Sequence, residues 1–377
     1  MRYLLALFRL VFSLTFILSS ILKLVDPVGT GLIVKEYLDF LHLGFLEPAS
    51  IGLGIALSAV EFSIGISTLI GLRMKLFATL ALAMVGGFTL LTLYLAIFNP
   101  ISDCGCFGEA IHLSNKATFI KNVVLLILAF FIFLGRGRAT RIAPPWLEWS
   151  LIAVFSLLAL SVALDAYYNI PRIDFTAYNV GTDIVERNAD NAPQYETTFV
   201  YEKDGVSKEF KLDEIPDESW TFVDSHTELL TGSTRMAQVD FELEQTEGRL
   251  LAVTIYDPAK LSEKQKDAIE IFRKKALLNG YDAVIYGPSE EYRIADRKSL
   301  MTLNRSNGGA VYIQDGVIIA KWANSHLPEL DLSEVLAEDT DVLVLQSRIK
   351  EQLYVSILIA GILVLLALVR YFCRILL

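Results

Sequence analysis

Apolar residues are concentrated at the two ends of the chain, and a more polar region lies between them. Six stretches carry few charges and are each about 20 residues long, the length that a helix needs to cross the hydrocarbon core of a bilayer. Residues 171–350 instead have the ordinary composition of a globular domain. The pattern predicts a multi-pass helical membrane protein with one large aqueous domain, its spans lying at residues 4–22, 49–72, 76–98, 118–134, 149–167 and 354–371.

The first apolar stretch has a second interpretation, that of a secretory signal peptide. Arg9 interrupts its apolar run, and no cleavage site flanked by small residues follows it cleanly. Both observations favour a helix that stays in the protein.

Lysine and arginine residues near the ends of the spans predict the orientation, because short cytoplasmic loops are enriched in them. With six spans, every such residue falls on one side of the membrane. The residues are Arg2, Arg9, Arg73, Lys75, Arg136, Arg138, Arg141, Arg370 and Arg374. We therefore expect a bacterial inner-membrane protein with both termini in the cytoplasm, and with the loop at residues 99–116 and the domain at residues 171–350 in the periplasm.

The second half of the aqueous region has a regular order of predicted elements. A strand at residues 250–256 precedes a helix at residues 262–278, which an Asn-Gly pair terminates. A third segment, at residues 283–286, is again a strand. A hairpin follows, and its strands at residues 309–313 and 317–322 flank the turn Gln314-Asp315-Gly316.

This order resembles that of a thioredoxin over residues 238–327, with residues 240–243 as a lead-in strand. The cysteine motif of a thioredoxin is absent, since Asp257-Pro258-Ala259-Lys260 follows the first core strand. Gly308-Gly309-Ala310 stands where a cis-proline would precede the hairpin. We therefore expect a degenerate thioredoxin-like domain that binds, presents or regulates and that exchanges no disulfides itself.

The predicted fold class is a membrane α-helical protein, with a four-helix bundle, two further transmembrane helices and an α/β periplasmic domain. A loop with two prolines and three arginines follows the fourth span and marks a boundary. The predicted parts are a four-helix membrane domain at residues 1–137, a linker and fifth transmembrane helix at 138–170, the periplasmic domain at 171–350 and the last transmembrane helix at 351–377.

Composition narrows the classes of function. Hydrophobic residues make up 53% of the chain, which is more than a soluble protein carries. Acidic residues number 43 against 33 basic ones, for a net charge of −10, and no basic patch with interleaved aromatic residues is present. Nucleic acid is therefore not an expected partner, whereas membrane lipid is.

Cys104 and Cys106 are the strongest candidates for chemistry. A single residue separates them, so a disulfide between them would close a small, strained ring, and strain makes a disulfide labile, as transferable ones are. Gly105 relieves backbone crowding in such a ring. A permanent structural staple explains the pair poorly, because so short a loop yields little entropic stabilisation. A metal site with Asp103 and His112 is a second alternative, with an incomplete set of ligands.

Glu61 is the main ionisable residue inside a predicted span. A charge is costly in lipid, so we expect this side chain to face the bundle interior, either as a proton carrier or as a polar structural anchor. At the end of the first span, Lys23 and Asp26 could pair with each other, although a snorkelling lysine and a helix-end aspartate are the simpler interpretation. The four histidines, at positions 42, 112, 226 and 326, have no ligand spacing.

Residues 1–137 resemble the DoxX/MauE group of membrane proteins. The resemblance rests on Lys23-Leu24-x-Asp26-Pro27, on Glu61 with Gly65 and Gly71, and on Asp103-Cys104-Gly105-Cys106-Phe107-Gly108. It implies methylamine utilisation and help in forming disulfides in a periplasmic enzyme subunit. Related four-helix proteins of the DsbB and vitamin K epoxide reductase types pass electrons from thiols to quinone. The full architecture, with its appended domain and last span, resembles that of DoxX-family proteins of the Bacteroidetes.

One departure from quinone-coupled oxidases is that they normally use two cysteine pairs. This chain has one pair, and Cys373 is predicted at the opposite face of the membrane as an apolar residue. Either quinone or another protein oxidises Cys104 and Cys106 directly, or the protein is a passive redox partner. The first hypothesis is thiol–disulfide exchange with exported protein thiols. The second is a non-enzymatic membrane anchor or assembly factor, and a small-molecule transporter has less support.

Overall fold

The computed structural model of the chain describes residues 2–101, 104–137, 143–184, 186, 194–203, 206–211, 219–231 and 248–375. Within these residues, five helices are long and apolar enough to cross a membrane, and they confirm the first five predicted spans. They are α1 (Arg2–Val25), α3 (Ser50–Ile70), α4 (Met74–Phe98), α5 (Asn115–Gly135) and α6 (Pro145–Tyr168). The sixth predicted span lies in the last helix, Thr340–Ile375, and its crossing of the membrane stays a prediction.

A short helix, α2 (Pro27–Phe40), separates α1 from α3. Two local features start this helix. Pro27 occupies its first turn, where a backbone N–H has no partner within the helix, so the missing N–H of proline costs nothing. The carboxylate of Asp26 accepts a hydrogen bond from the Gly29 N–H at 2.9 Å and so caps the helix. A 3₁₀ helix (Gly44–Ala49) then leads into α3. The segment between α1 and α3 is therefore helical, and α2 is partly buried.

The bundle core is formed by large apolar side chains that α1, α3, α4 and α5 contribute, among them Phe12, Ile64, Phe77 and Leu125. The fifth long helix, α6, is packed into this unit as well. Its Phe155, Ala159 and Ala163 contact apolar residues of α1 and α3. Small side chains let helices approach closely where no hydrophobic force from water acts between them. The fifth long helix is therefore part of the membrane bundle.

The described part of the aqueous region contains two sheets. The strands β1 (Gln194–Lys203), β2 (Val206–Lys211) and β3 (Thr221–Thr231) form an antiparallel three-stranded sheet in the order β2-β1-β3. A five-stranded sheet has the order β6-β5-β4-β7-β8, and its strands are β4 (Arg249–Thr254), β5 (Ala283–Gly287), β6 (Arg293–Ile294), β7 (Gly309–Gln314) and β8 (Val317–Trp322).

Strand β4 is parallel to β5 and antiparallel to β7, which forms a hairpin with β8. The crossover from β4 to β5 is the helix α7 (Glu263–Leu278), which starts with a capping box between Ser262 and Gln265. Helix α8 (Arg297–Leu303) precedes β7, and α9 (Leu332–Ala337) follows β8 before the last helix, α10 (Thr340–Ile375). The predicted succession of strand, helix, strand and hairpin is present, whereas residues 240–243 lie outside the described residues.

Candidate functional site

Cys104 and Cys106 are neighbouring free thiols in the segment between α4 and α5, with their Sγ atoms 2.9 Å apart. This is longer than the covalent S–S distance of about 2.05 Å, so a small approach of the two sulfurs would close a disulfide. Cys104 is buried and Cys106 is half-buried. Gly105 between them has a φ of +64°, and a Cβ built on it would lie 2.6 Å from Ile33 Cγ2. Only glycine therefore fits between the two cysteines.

Hydrogen bonds from two helices hold the cysteine segment. Ser19 of α1 donates its hydroxyl to the carbonyl oxygen of Cys106 at 2.7 Å. Tyr37 of α2 donates its phenolic hydroxyl to the carbonyl oxygen of Cys104 at 2.9 Å. Both backbone groups that flank Gly105 are thus anchored to the membrane domain, and the sulfur atoms are held in place with them.

The two thiols have different protonation preferences. The pKa of Cys106 is lowered to about 6, first because Cys104 donates a hydrogen bond to it and then because of the nearby charges of Lys121 and Lys23. The pKa of Cys104 is raised, because it acts as that donor and because it is buried. At neutral pH, Cys106 is therefore the thiolate and Cys104 the thiol. A thiolate is the nucleophilic form of cysteine.

Lys23 and Glu61 form an ion pair between α1 and α3, and both side chains are buried. This corrects two expectations: Lys23 does not pair with Asp26, and it does not extend to the membrane surface. Asp26 instead binds Arg305 of the aqueous domain at 2.7 Å. The reason is that α1 packs along α3, so Lys23 faces Glu61 within the bundle, where an unpaired charge would be costly. Glu61 faces the interior, as predicted.

A cavity of about 260 Å³ lies within the membrane domain, and the cysteine segment forms one of its walls. Most of its lining is apolar and includes Phe16, Ile33, Leu57, Phe88 and Leu125. The polar lining brings the predicted site residues together with others, namely Cys104, Cys106, Glu61, Lys23, Lys121 and Asn122. The structure thus places Glu61 and both cysteines around one apolar space.

Sequence reasoning missed three residues of this site as participants: Lys121, Asn122 and Tyr37. The first two carried a readable signal, since a lysine and an asparagine in the apolar run of α5 are costly unless they face a polar group. Lys121 Nζ lies 4.6 Å from the ring centroid of Phe107, and Asn122 Nδ2 donates to Thr92 Oγ1 at 3.1 Å. Tyr37 carried no comparable signal, because its partner is a backbone carbonyl distant in sequence.

Two predictions at this site fall on residues outside the described part of the chain. Asp103, a candidate metal ligand, is one of them, and the side chain of Cys373 is the other. Among the described residues, no group of three His, Cys, Asp or Glu side chains is arranged to hold a metal ion. The metal site with Asp103 and His112 stays a prediction.

The fold and the site define a multi-pass helical membrane protein in which a close cysteine pair borders an apolar cavity. Residues 1–135 match the family model described as methylamine utilisation protein MauE, so this part of the chain is similar to that family. Residues 195–231, which contain most of the three-stranded sheet, match the model of a domain of unknown function, DUF8463. The chain matches no curated protein and no solved structure.

Proposed function

We propose that the protein is a membrane thiol–disulfide oxidoreductase that exchanges disulfides with exported protein thiols through Cys104 and Cys106. The observation that carries this proposal is the distance of 2.9 Å between two free thiols on the wall of an apolar cavity. A pair so close together forms and opens a disulfide with little movement of the backbone. The difference in pKa between the two thiols gives the pair one nucleophilic sulfur and one proton donor.

The proposed cycle has two half-reactions. An exported protein with two thiols reduces the Cys104–Cys106 disulfide by exchange, so that its own disulfide forms and two thiols appear on the membrane domain. Reoxidation of Cys104 and Cys106 then releases two electrons and two protons. A quinone accepts both electrons and both protons and becomes a hydroquinone.

Several features of the cavity support quinone as the acceptor. A quinone is apolar apart from its carbonyl oxygens, and the cavity is mostly apolar with a few nitrogen donors, on Lys23, Lys121 and Asn122. Glu61, which lines the same cavity, is the proposed carrier of the protons that the thiols release. Lys23 lies beside this carboxylate as its ion-pair partner.

The proposed location is the inner membrane of a bacterium, with the cysteine pair facing the periplasm. The distribution of lysine and arginine around the spans supports this orientation. The contact between Asp26 and Arg305 supports it further, because it puts the cysteine end of the bundle and the aqueous domain on one side. The periplasm is an oxidising compartment, in which disulfide exchange is useful.

The test is reduction of a soluble quinone by the purified full-length protein, with a dithiol as electron donor. Quinone reduction is expected for the Cys373→Ser variant, which keeps the pair, and not for Cys104→Ser or Cys106→Ser. Alkylation of membranes with and without prior reduction gives the redox state of the pair. Thiols that stay free in oxidising membranes, together with no quinone reduction, would contradict the proposal.

A second candidate function is a non-enzymatic membrane anchor or assembly factor that presents a degenerate thioredoxin-like domain. The strand order β6-β5-β4-β7-β8, with a final antiparallel hairpin, supports a thioredoxin-like fold. Asp257 to Lys260 follow β4 where such a fold carries its cysteines. A double Cys104→Ser, Cys106→Ser variant that retains every bound partner and its cellular role would favour this function.

A further inference from the structure

The aqueous domain is held on the membrane domain by a buried ion pair between Arg305 and Asp26. The guanidinium donates from Nη2 and Nε to Asp26 Oδ2, at 2.7 and 3.2 Å. Both side chains are at most 3% exposed. Arg305 also donates to the carbonyl oxygen of Met301 at 2.9 Å, which anchors it in its own domain. The pair therefore ties the end of α8 to the start of α2.

Two further ion pairs extend this contact. Lys298 of α8 lies 3.3 Å from Glu36 of α2, and Arg297 lies 3.4 Å from Glu47 of the 3₁₀ helix. The basic residues are on the aqueous domain and the acidic residues are on the membrane domain. These pairs are partly exposed, so each one adds little by itself, whereas the pair at Arg305 is buried, and the loss of either partner would leave a buried charge unpaired.

Packing at the contact is close as well. A Cβ built on Gly29, in the first turn of α2, would lie 2.8 Å from Arg305 Nη2 and 2.8 Å from Glu109 Cγ. Glu109 belongs to the segment that carries the cysteines, and its charge acts on Arg305. Arg305 thus lies where α2, the cysteine segment and the aqueous domain meet.

Helix α2 also covers the cysteine pair. Ile33 packs on Gly105, and Tyr37 donates to the carbonyl oxygen of Cys104. Both side chains, together with Thr30, line the cavity. Helix α2 therefore contacts both the aqueous domain and the cysteine segment.

We propose that the aqueous domain is a clamp that holds α2 closed over the cysteine pair, with Arg305 and Asp26 as the positioning residues. A protein is too large to reach the buried Cys104 while α2 is in place, so release of this contact is the step that opens Cys104 to a protein partner. The inference rests on the proposed function only in taking Cys104 and Cys106 as the reactive pair.

Alkylation of the reduced pair tests the clamp. The experiment uses full-length protein in membranes, in a Cys373→Ser background, with a bulky polyethylene-glycol maleimide and a small maleimide compared side by side. Arg305→Glu and Asp26→Asn remove the buried charge pair, and asparagine retains the cap of α2. We expect either variant to react with the bulky reagent roughly 5- to 150-fold faster, the range typical of coupling between two sites. Labelling by the small reagent changes less.

Exchanging the charges of the Lys298–Glu36 pair tests whether the attraction between the two domains keeps bulky labelling slow. Lys298→Glu is expected to speed bulky labelling, and Glu36→Lys in the same chain is expected to return it toward the starting rate. The matched control is Arg273→Glu, which makes the same change of charge on the same domain at a surface pair with Glu270. It is expected to leave labelling unchanged.

Unchanged bulky labelling in both Arg305→Glu and Asp26→Asn, at a wild-type melting temperature, would overturn the clamp. If Arg305→Glu fails to fold, the variants at Lys298 are the test. The inference is overturned if Lys298→Glu does not speed bulky labelling, or if adding Glu36→Lys does not slow it again. Labelling needs only the thiols, so faster labelling in a protein without quinone reduction would support the clamp while contradicting the proposed function.

Discussion

Lys23 and Glu61 form an ion pair inside the membrane bundle, next to the cavity that Cys104 and Cys106 border. The pair joins α1 to α3 and links structural stability to the proposed proton transfer. A buried charge that loses its partner is costly, whereas removal of both charges costs much less. Removing one charge or both charges of the pair therefore separates its contribution to stability from its role in the proposed proton transfer.

The first prediction concerns the stability of this pair. Glu61→Gln leaves Lys23 buried without a counter-ion and is expected to lower the free energy of unfolding by about 3–5 kcal/mol. The double variant Lys23→Met, Glu61→Gln is expected to regain most of that loss. Thermal unfolding of the detergent-solubilised full-length protein measures both. A double variant that is no more stable than Glu61→Gln alone would show that the two residues do not act as a pair.

The second prediction concerns the pH dependence of thiol reactivity. The pKa of Cys106 is lowered to about 6, so its thiolate is lost as the pH falls through that value and is present above it. The alkylation rate of Cys106 is therefore expected to rise roughly tenfold between about pH 5 and about pH 7 and then to level off, whereas the rate of an ordinary thiol, with a pKa of about 8.5, keeps rising up to about pH 9. The rate profile is measured on the reduced protein in a Cys373→Ser background.

The same profile tests the contribution of Lys121. Lys121→Met removes a positive charge that favours the thiolate, so the profile is expected to shift to higher pH. Lys121→Arg keeps the charge and is expected to keep the profile near that of the wild type. Identical profiles for Met and Arg at this position would show that the charge does not act on Cys106.

The third prediction concerns the glycine between the cysteines. Gly105→Ala introduces a side chain at a positive φ and within 2.6 Å of Ile33, so the cysteine segment must shift. The strain is expected to cost about 1–3 kcal/mol and to change the rate at which the pair closes into a disulfide. Gly86→Ala in α4 is the control, because nothing lies within 4 Å of its added Cβ. Melting temperature and the rate of air oxidation are the two measurements.

The fourth prediction concerns the hydroxyl of Tyr37. Tyr37→Phe keeps the ring against the cavity but removes the hydrogen bond to the carbonyl oxygen of Cys104. The loss is expected to be about 0.5–1.5 kcal/mol of stability, with faster labelling of Cys104 because α2 is held less firmly. Tyr94→Phe, at a ring that packs on Phe40 and Phe98, is the comparison, and it is expected to leave the labelling of Cys104 unchanged. Equal labelling of the two variants would rule out a role for the hydroxyl of Tyr37.

Much of the fold could be read from sequence because the signals are local. Span length and hydropathy predicted the five membrane helices, and the succession of strand, helix and hairpin predicted the five-stranded sheet up to its short edge strand. The spacing of Cys104 and Cys106 was sufficient to single them out. The role of α6 was not readable, since an apolar helix that packs on α1 and one that stands alone have the same hydropathy.

The sequence by itself determined where the membrane helices run, that two cysteines lie next to each other, and that Glu61 must face the bundle interior. Only the tertiary structure decided which charges meet. Lys23 binds Glu61 and not its sequence neighbour Asp26, and Asp26 binds Arg305, 279 residues away. The physical reason is that the partner of a buried charge depends on how helices and domains pack in space. Hydropathy and spacing along the chain carry no record of that packing.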